Sequence, residues 1–435
     1  MIKLEPTAIY ELVFKEIESR VDDLVALTSD LIQFPTINPP GDHYQPCAEF
    51  IGDRLKRKGF SVEYVRAVNT PGDNDRYPRV NIVARYDGKK PGSCIHFNSH
   101  IDVVEVGSGW TVDPFAGTVK DGKVFGRGAC DMKGGLAASI IAAECLIDTV
   151  PELAGSIEIS GTCDEESGGY GGVAYLAEQG YFSKPRVQHV IIPEPLQVDR
   201  VCLGHRGVWW AEIETLGRIA HGSMPFLGDC AMRHMGALIA RMERDLFPAL
   251  EQTQTQMPVV PAEARASTLN INSVHAGQAE LVGDHAGLPS ACVPDSARMV
   301  IDRRFLVEDE IADVKKQMRS ILETLESERP DFRYKMRDLF QVEPVMIEQD
   351  KPVAQATAKA ISDVLGRDAE FVCSPGTYDQ KHIDRIGQLK NCIAYGPGLL
   401  ELAHQPDEYV EIDAMLDSAK VMAQTAYELM HTPAE

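Results

Sequence analysis

The feature that most constrains the fold is an alternation of strand-like and helix-like runs between residues 79 and 195. The strand-like runs are PRVNIVARY, GSCIHFNSHIDVV, GSIEISGTCDE and HVIIPEP. The runs GLAASIIAAECLIDTV and GGVAYLAEQG, which separate the later ones, have helical patterns. Apolar strands that alternate with helices are typical of α/β layer architectures. We therefore predict an α/β domain with a mixed, mostly parallel sheet flanked by helices.

The pattern changes at about Leu203, where a second kind of domain is predicted. Its strands are GVWWAEIETLG, STLNINSVHAG and SARMVIDRRFLV, and its helices are DCAMRHMGALIARMERDLF and DEIADVKKQMRSILETLESE. The polar run EQTQTQMPVVPAEARAS is predicted to be an exposed loop. A last strand, NCIAYGPG, and a terminal helix, EIDAMLDSAKVMAQTAYELM, would complete the first sheet. We thus expect an α+β domain over residues 207–330, inserted into a discontinuous domain over 1–206 and 331–435.

The acidic composition limits the possible partners. Lys and Arg number 43 against 65 Asp and Glu, which gives a net charge of −22, and such a chain repels nucleic acid and anionic membranes. The N-terminal run lacks the regions of a signal peptide, and the most apolar segment, LAASIIAAECLI, is short and contains Glu144. Ten cysteines without a CxxC pair fit reduced thiols. We predict a cytoplasmic protein that binds neither nucleic acid nor a membrane.

The sequence supports neither a phosphate-binding loop nor the nucleophile elbow of serine hydrolases. The run GTVKDGKV has the glycine and lysine spacing of a phosphate-binding loop, but Val124 and a strand follow it, so a β-hairpin turn is the better interpretation. No G-x-S-x-G elbow occurs, and Ser223 lacks a strand-to-helix context. A serine hydrolase is therefore not predicted.

Side chains with metal-ligand chemistry follow the predicted strands. His100 and Asp102 are two residues apart, so both project from one face of a strand. A histidine with a nearby carboxylate suits a metal ligand and the acid that orients it, although a lone HxD is more often a satisfied histidine. Asp131 stands between glycines at the start of a helix, where it could also be a helix N-cap.

Further acidic residues and one histidine extend this set. The run SGTCDEESGG places Asp164, Glu165 and Glu166 after a strand, Glu194 ends another strand, and His404 lies in a late loop. Strand ends form the ligand crevice of an open α/β sheet. Carboxylates and imidazoles suit Zn²⁺, Mn²⁺ or Co²⁺, and enough of them are present for two ions about 3.5–4 Å apart that share a carboxylate. The sequence therefore predicts a metal centre with two ions.

Several segments resemble those of the M20 metallopeptidase family: SHIDVV, GWTVDPFAGTVKDGKVFGRGACDMKGG, DEESGGYGG, AHGSMP, PGTYDQ and YGPGLLELAHQPDEYV. This group contains acetylornithine deacetylase, succinyl-diaminopimelate desuccinylase, aminoacylase-1 and glutamate carboxypeptidase. The resemblance covers most of the chain, and it implies five ligands for two divalent ions: His100, Asp131, Glu166, Glu194 and His404. It further implies that Asp131 bridges the ions and that Asp102 orients His100.

The resemblance implies a reaction as well. Glu165 would be the general base that takes a proton from metal-bound water and returns it to the leaving amine, whereas Asp164 has no assigned role. We expect hydrolysis of a C–N (amide) bond in a small carboxylate-bearing substrate, as in N-acyl amino acid deacylases. A dipeptidase or carboxypeptidase is the close alternative, and hydrolytic deamination of an unusual substrate such as an aromatic amine is a more distant one. A non-catalytic metal-binding scaffold is the alternative of a different class.

The inserted domain resembles the ferredoxin-like lid and dimerisation domain of the same family. By that resemblance His221 reaches into the partner's site of a homodimer, or of a higher homo-oligomer, and stabilises the oxyanion; alternatively it orders its own Gly-Ser-Pro turn. Arg304 would bind the substrate carboxylate, although Arg303 stands beside it. Further substrate contacts are expected at three glycines of the matching segments: Gly376, Gly396 and Gly398.

The chain departs from the family pattern at two places. The lid of the family usually carries an asparagine in an Asn-Val-x-Pro-like segment, whereas this chain reads SACVPD, with Ala291 at that position. The run HAGQAELVGDHAGLPSACVP is longer than the short turn typical of the deacylases. Both departures leave open a change in how substrate is held.

Overall fold

The computed structural model describes residues 5–277 and 291–432. The chain forms two compact units. The first unit comprises Met1–Gly204, Ile347–Val372 and Tyr378–Glu435, and the second comprises His205–Met346 and Cys373–Thr377. The second unit extends beyond the expected boundary at residue 330. The reason is that residues 333–342 form a strand of its sheet.

The strands are β1 (Ser61–Arg66), β2 (Val80–Asp87), β3 (Lys90–His100), β4 (Thr118–Lys120), β5 (Lys123–Phe125), β6 (Ala154–Thr162), β7 (His189–Ile192), β8 (Arg200–His205), β9 (Gly207–Leu216), β10 (Thr268–Ala276), β11 (Ser296–Phe305), β12 (Arg333–Val342), β13 (Val345–Met346), β14 (Glu370–Ser374), β15 (Cys392–Ala394) and β16 (Tyr409–Glu411). The α-helices are α1 (Pro6–Ser19), α2 (Val21–Ile32), α3 (Tyr44–Arg57), α4 (Gly134–Thr149), α5 (Tyr175–Glu178), α6 (Ala231–Arg241), α7 (Phe247–Glu251), α8 (Ile311–Glu328), α9 (Pro352–Leu365), α10 (Gln380–Arg385) and α11 (Ile412–Met430). Within the described residues, no helix is both long enough and apolar enough to cross a membrane.

The sheet of the first unit is mixed, as predicted. Its strands run in the order β1-β2-β6-β3-β7-β15-β8. The four central strands, β6, β3, β7 and β15, are parallel, whereas β1, β2 and β8 pair antiparallel. Helix α4 packs against β3 and β6 and against α1, α2 and α11, which explains why it is buried on all sides from Gly134 to Leu146. The parallel strands β3, β6 and β7 therefore end at the same edge of the sheet.

The second unit has a four-stranded antiparallel sheet in the order β10-β11-β9-β12. Its elements follow the chain as β9-α6-β10-β11-α8-β12, the arrangement of the predicted ferredoxin-like domain. Alternate residues of β9 are buried, as in a sheet with one packed face. That face joins α6 and α8 in a core that includes Trp209, Ile213, Met235 and Leu322.

Two local expectations have different outcomes. The turn at Asp121 and Gly122 joins β4 to β5, and both residues have positive φ, at 51° and 71°. The β-hairpin turn expected there is present, and it is a two-residue turn of the kind that requires positive φ. The segment expected to be an exposed loop, in contrast, buries Thr255, Met257 and Val259. The Thr255 hydroxyl donates to Glu308, and Val259 forms a backbone bridge with Cys373.

Candidate metal centre

The carboxyl-terminal edge of the parallel strands carries the predicted ligands of the first unit. His100 is the last residue of β3, Glu166 follows β6, and Glu194 follows β7. Asp131 lies in the segment that leads into α4, where its backbone is not helical (φ −119°, ψ 94°), and His404 lies in the loop before β16. Five residues that are up to 304 positions apart in the sequence thus meet at one place.

The first ligand group consists of His100, Asp131 and Glu194. The His100 ring is buried, and its Nδ1–H donates to the backbone carbonyl of Asp102 at 2.9 Å. This contact assigns the lone pair to Nε2, which lies 3.0 Å from Asp131 Oδ1 and 3.9 Å from Glu194 Oε1. One ligand atom from each residue lies within 4.8 Å of the others. This spacing fits a single cation.

The second ligand group consists of Asp131, Glu166 and His404. His404 Nε2 lies 3.1 Å from Glu166 Oε1 and 3.5 Å from Asp131 Oδ2. These ligand atoms also lie within 4.8 Å of one another. Asp131 thus presents Oδ1 to the first group and Oδ2 to the second, which is the arrangement of a bridging carboxylate.

The charges of the two groups favour a bound cation. Burial raises the pKa of Glu194 well above its usual value and raises the pKa of Glu166 to about 7. Hydrogen bonds to Asp131 and Glu166 raise the pKa of His404 to about 10. Carboxylates that repel one another in a buried cluster tolerate each other around a positive charge. The donor set, with imidazole nitrogens and carboxylate oxygens, suits a divalent transition metal.

Asp102 contacts the centre differently from the expectation. Its carboxylate Oδ1 is 3.7 Å from His100 Nδ1, and the backbone carbonyl of Asp102 holds the imidazole instead. The carboxylate accepts hydrogen bonds from Asn38 Nδ2 at 2.9 Å and from the backbone N–H groups of Glu165 and Glu166 at 3.2 and 3.1 Å. Asp102 therefore orients the histidine through its backbone and the acidic turn through its side chain.

Asp164, the first acid of that turn, is part of a buried ion pair. Its carboxylate accepts hydrogen bonds from Arg79 Nε and from the hydroxyl of Tyr44, each at 3.0 Å. Arg79 is anchored in turn by the carbonyls of Pro40 and Tyr77. Burial raises the pKa of Asp164 to about 6. The Asp164 side chain is thus bonded to Arg79 and Tyr44, neither of which belongs to the candidate ligands, and these contacts anchor the turn.

Glu165 pairs with a residue that the sequence analysis missed. The ammonium of Lys381 is 3.3 Å from Glu165 Oε1, and Lys381 is 2% exposed. Lys381 stands two residues after the Asp379 of the matching segment PGTYDQ. That proximity to the segment was the only signal in the sequence.

Glu408 and Arg127 were also missed. The Glu408 carboxylate accepts hydrogen bonds from the backbone N–H groups of Gly128, Cys130 and Asp131 at 3.0, 2.9 and 3.1 Å. Arg127 donates to the same carboxylate at 2.5 Å. Glu408 lies four residues after His404, so its place in a matching segment was the available signal. The pair fixes the backbone that carries Asp131.

The expected residues of the second unit have local partners there. His221 Nδ1 lies 2.8 Å from Ser223 Oγ and accepts from the Ser223 backbone N–H at 3.2 Å, so His221 orders its own turn. Arg304 pairs with Asp302 at 2.7 Å. Arg303 is buried and donates to backbone carbonyls, which distinguishes it from Arg304 as a structural residue.

The departures from the family pattern lie in the same unit. Ala291 is exposed, and its carbonyl accepts the N–H of Gly222 at 2.5 Å. The long run that precedes it lies mostly outside the described residues, at 278–290. Ala291 therefore contributes a backbone contact to the His221 turn and has no amide side chain to offer.

The three expected substrate-contact glycines differ in surroundings. Gly376, in the second unit, donates its N–H to Ser374 Oγ at 3.1 Å. In the first unit, a Cβ on Gly396 would lie 2.8 Å from the Glu194 carbonyl, and one on Gly398, where φ is +97°, would lie 2.7 Å from Cys130 Sγ. A side chain at Gly396 would displace the backbone that carries Glu194, whereas one at Gly398 would clash with the thiol of Cys130, the residue before Asp131.

Comparisons with known proteins show the family of the chain. The model of Peptidase family M20/M25/M40 matches residues 96–428. A succinyl-diaminopimelate desuccinylase from Polynucleobacter necessarius subsp. necessarius (strain STIR1) is 28% identical over 418 residues, which cover 93% of this chain and 98% of the relative. The fold and the two ligand groups define a metal-dependent hydrolase. The chain belongs to peptidase family M20/M25/M40.

Solved structures show the same fold at low identity. The dipeptidase Dug1p from Saccharomyces cerevisiae aligns with a TM-score of 0.78 and 16% identity, covering 98% of this chain and 99% of that one. The YXEP protein of Bacillus subtilis, described as a dinuclear metal binding peptidase of the M20 family, aligns with a TM-score of 0.66 and 18% identity, covering 95% and 99%. These likenesses confirm the predicted fold class.

Proposed function

We propose that this hydrolase uses two divalent ions to cleave the amide bond of a small carboxylate-bearing molecule, in the manner of an N-acyl amino acid deacylase. The observation that carries the proposal is Asp131, whose two carboxylate oxygens face two separate ligand groups. Glu165, beside the ligand Glu166, supplies a carboxylate that can accept a proton. The desuccinylase name of the relative at 28% identity supports an acyl amino acid substrate.

The residues present fit two ions of Zn²⁺, Mn²⁺ or Co²⁺. His100, Asp131 and Glu194 would hold one ion, and Asp131, Glu166 and His404 the other. No thiolate belongs to either group, and the donors are imidazole nitrogen and carboxylate oxygen, which all three metals accept. When bound, such ions lower the pKa of water and polarise a carbonyl oxygen.

The residues around the ions divide the remaining chemistry. Glu165 takes the proton of the attacking water and delivers it to the leaving amine, which completes the C–N cleavage with no net proton change at the carboxylate. The carboxylate of Asp102 accepts the backbone N–H groups of Glu165 and Glu166. These hydrogen bonds fix the backbone of the turn, from which the base Glu165 and the ligand Glu166 project separately. His221 and Arg304 remain our predictions for the oxyanion and the substrate carboxylate, as do Gly376, Gly396 and Gly398 for substrate contact.

A homodimer and a cytoplasmic location complete the proposal. Ile219, Met224, Phe226 and Leu227 form an apolar surface beside the His221 turn, and Phe226 is 77% exposed. Such a surface is typical of a protein interface. Sedimentation of the wild-type protein and of Phe226→Asp tests this directly: a dimer that becomes a monomer supports it, and a wild-type monomer contradicts it. Several buried thiols that form no disulfide, among them Cys47, Cys94, Cys130, Cys145, Cys163 and Cys392, fit a reducing compartment.

The substrate class is tested by a screen of the protein loaded with Mn²⁺, Zn²⁺ or Co²⁺. The panel contains N-succinyl and N-acetyl amino acids, dipeptides and aryl amines. Fastest turnover of an N-acyl amino acid supports the proposal, whereas a dipeptide or aryl amine as the best substrate replaces it with one of the alternatives. The absence of an amide side chain at Ala291 is the reason to include the aryl amines. Metal binding without any turnover would indicate a scaffold.

A further inference from the structure

Lys381 is a buried cation beside the proposed base, and the mechanism above does not use it. Its side chain is 3% exposed, and Nζ is 3.3 Å from Glu165 Oε1. A buried lysine is unfavourable unless a carboxylate compensates its charge. The described structure places Glu165 at hydrogen-bonding distance, and Asp379, which is also buried, attracts the same ammonium. The pair is therefore a persistent feature of the first unit.

The helix that carries Lys381 is firmly attached to the sheet. Gln380, the first residue of α10, donates from Nε2 to the carbonyls of Leu203 and Cys392 at 3.1 and 2.9 Å. Leu203 belongs to β8 and Cys392 to β15, which are neighbours in the sheet. Lys381 thus extends from a fixed helix end, and its ammonium has little freedom to follow a moving partner.

A second residue of α10 holds the same acidic turn. Burial lowers the pKa of His382 to about 3, so the ring is neutral, and its Nε2–H donates to the carbonyl of Gly168 at 2.7 Å. Consecutive side chains of α10 therefore contact both ends of the turn from Glu165 to Gly168. Asp102 holds the backbone of this turn through the N–H groups of Glu165 and Glu166. The backbone of the turn is thus held by Asp102 and by His382, and the side chain of the base is held by Lys381.

We propose that Lys381 is the positioning residue of Glu165: its ammonium holds Oε1 and thereby leaves Oε2 directed at the water proton. The inference rests on the proposed function, because it requires Glu165 to be the base. A free glutamate side chain samples several rotamers, and a proton acceptor must lie within hydrogen-bond reach of its proton in order to act. Holding one oxygen restricts the carboxylate to the useful orientation.

A double-mutant cycle tests the proposal on the metal-loaded protein, with the best substrate of the screen. Lys381→Met and Lys381→Gln are each made alone and together with Glu165→Gln, and Lys390→Met is the control. The side chain of Lys390 forms an ion pair with Asp384 at 3.0 Å but is 67% exposed. Lys390→Met therefore measures the effect of losing a lysine ion pair of the same unit that does not involve Glu165. We expect kcat to fall about 100-fold in the Lys381 variants, with KM changed less than about 3-fold. In the Glu165→Gln background the same substitutions are expected to cost less than about 3-fold.

The outcomes separate the possible roles of Lys381. A wild-type kcat in the Lys381 variants would overturn the proposal. An equal loss in both backgrounds, or loss of the fold in both Lys381 variants, would also overturn it and would assign Lys381 to stability. If Glu165→Gln alone keeps the wild-type kcat, the proposed function fails first. If Glu165→Gln lowers kcat to a measurable residual value and the cycle shows no coupling, only the inference on Lys381 fails.

Crystal structures provide a readout that needs no substrate. In metal-loaded Lys381→Met, we expect the carboxylate of Glu165 to leave its wild-type position while the five ligands and the backbone of the turn remain. The control Lys390→Met should leave Glu165 unchanged. An unchanged Glu165 side chain in Lys381→Met would overturn the positioning role.

Discussion

The carboxylate of Glu408 accepts the backbone N–H of Asp131 at 3.1 Å, and it accepts those of Gly128 and Cys130 as well. Asp131, which faces both ligand groups, is therefore held at its backbone by the carboxylate of Glu408, a residue 277 positions later in the chain. We predict that Glu408→Gln lowers metal affinity about 10- to 100-fold, because an amide cannot accept three N–H groups at one oxygen as strongly and partners of ligands contribute that much to affinity.

Metal titration by calorimetry measures this effect. Glu411→Gln is the matched control, since the Glu411 side chain is exposed and forms an ion pair with Lys123 at 3.8 Å. If the metal affinity of Glu408→Gln equals that of the control, metal binding by Asp131 does not depend on the hydrogen bonds to Glu408.

Removal of the base gives a second prediction. Glu165→Ala should lower kcat/KM by about 10²- to 10⁴-fold, as expected for the loss of general base catalysis, and leave metal occupancy intact because Glu165 is not a ligand. Steady-state kinetics and metal analysis of the same preparation measure both quantities. Glu178→Ala, at an exposed position of α5, is the control and should match the wild-type protein. Lost metal in Glu165→Ala would contradict the assignment.

The buried pair of Arg79 and Asp164 leads to a prediction on stability. Asp164→Ala leaves the guanidinium of Arg79 buried without its carboxylate, so we expect the free energy of unfolding to fall by about 3 kcal/mol. Asp75→Ala, which removes a fully exposed partner of Arg66, should change it by less than about 0.5 kcal/mol. Urea denaturation compares the three proteins, and equal midpoints would refute a structural role for Asp164.

A buried histidine predicts a dependence of stability on pH. Burial lowers the pKa of His189 to about 4, with a smaller contribution from the charge of Lys184, and the ring accepts a hydrogen bond from Asn391 Nδ2 at 2.5 Å. In the unfolded chain the pKa is about 6.5. Because the folded pKa is depressed, the stabilising effect of the neutral ring is present above pH 6.5 and is lost as the pH falls towards 4, by roughly 3 kcal/mol in total.

Urea denaturation at pH 7, 5.5 and 4.5 tests this prediction. The wild-type protein should lose more stability over this range than His189→Gln, which has no proton to bind at that position. His431→Gln, at an exposed position, should lose as much as the wild-type protein. Identical losses in His189→Gln and wild type would contradict the prediction.

The sequence could predict the candidate ligands but not the residues that hold them. His100, Glu166 and Glu194 each follow an apolar strand, and parallel strands bring their ends together, so the local pattern contained this information. Lys381 and Glu408 depend on contacts over 216 and 277 positions, and no local pattern encodes such a contact. The backbone carbonyl of Asp102 was missed for another reason: a carbonyl has no signature in a sequence.

The second unit illustrates the same division. The strands β9 and β11 were predicted because their alternating burial is a local property of the chain. The strand β12 was not, because RYKMRDLFQV is largely polar and only its pairing with β9 defines it.

The position of β15 in the first sheet affects how the protein emerges from the ribosome. This strand lies between β7 and β8, yet it follows β8 by almost 190 residues, so the nascent chain must leave a gap in the middle of its sheet until residue 394 has been synthesised. Contacts of this range form slowly, and an unpaired strand edge can pair with another chain. His404 follows only ten residues later, so the second ligand group becomes complete at nearly the same moment as the sheet.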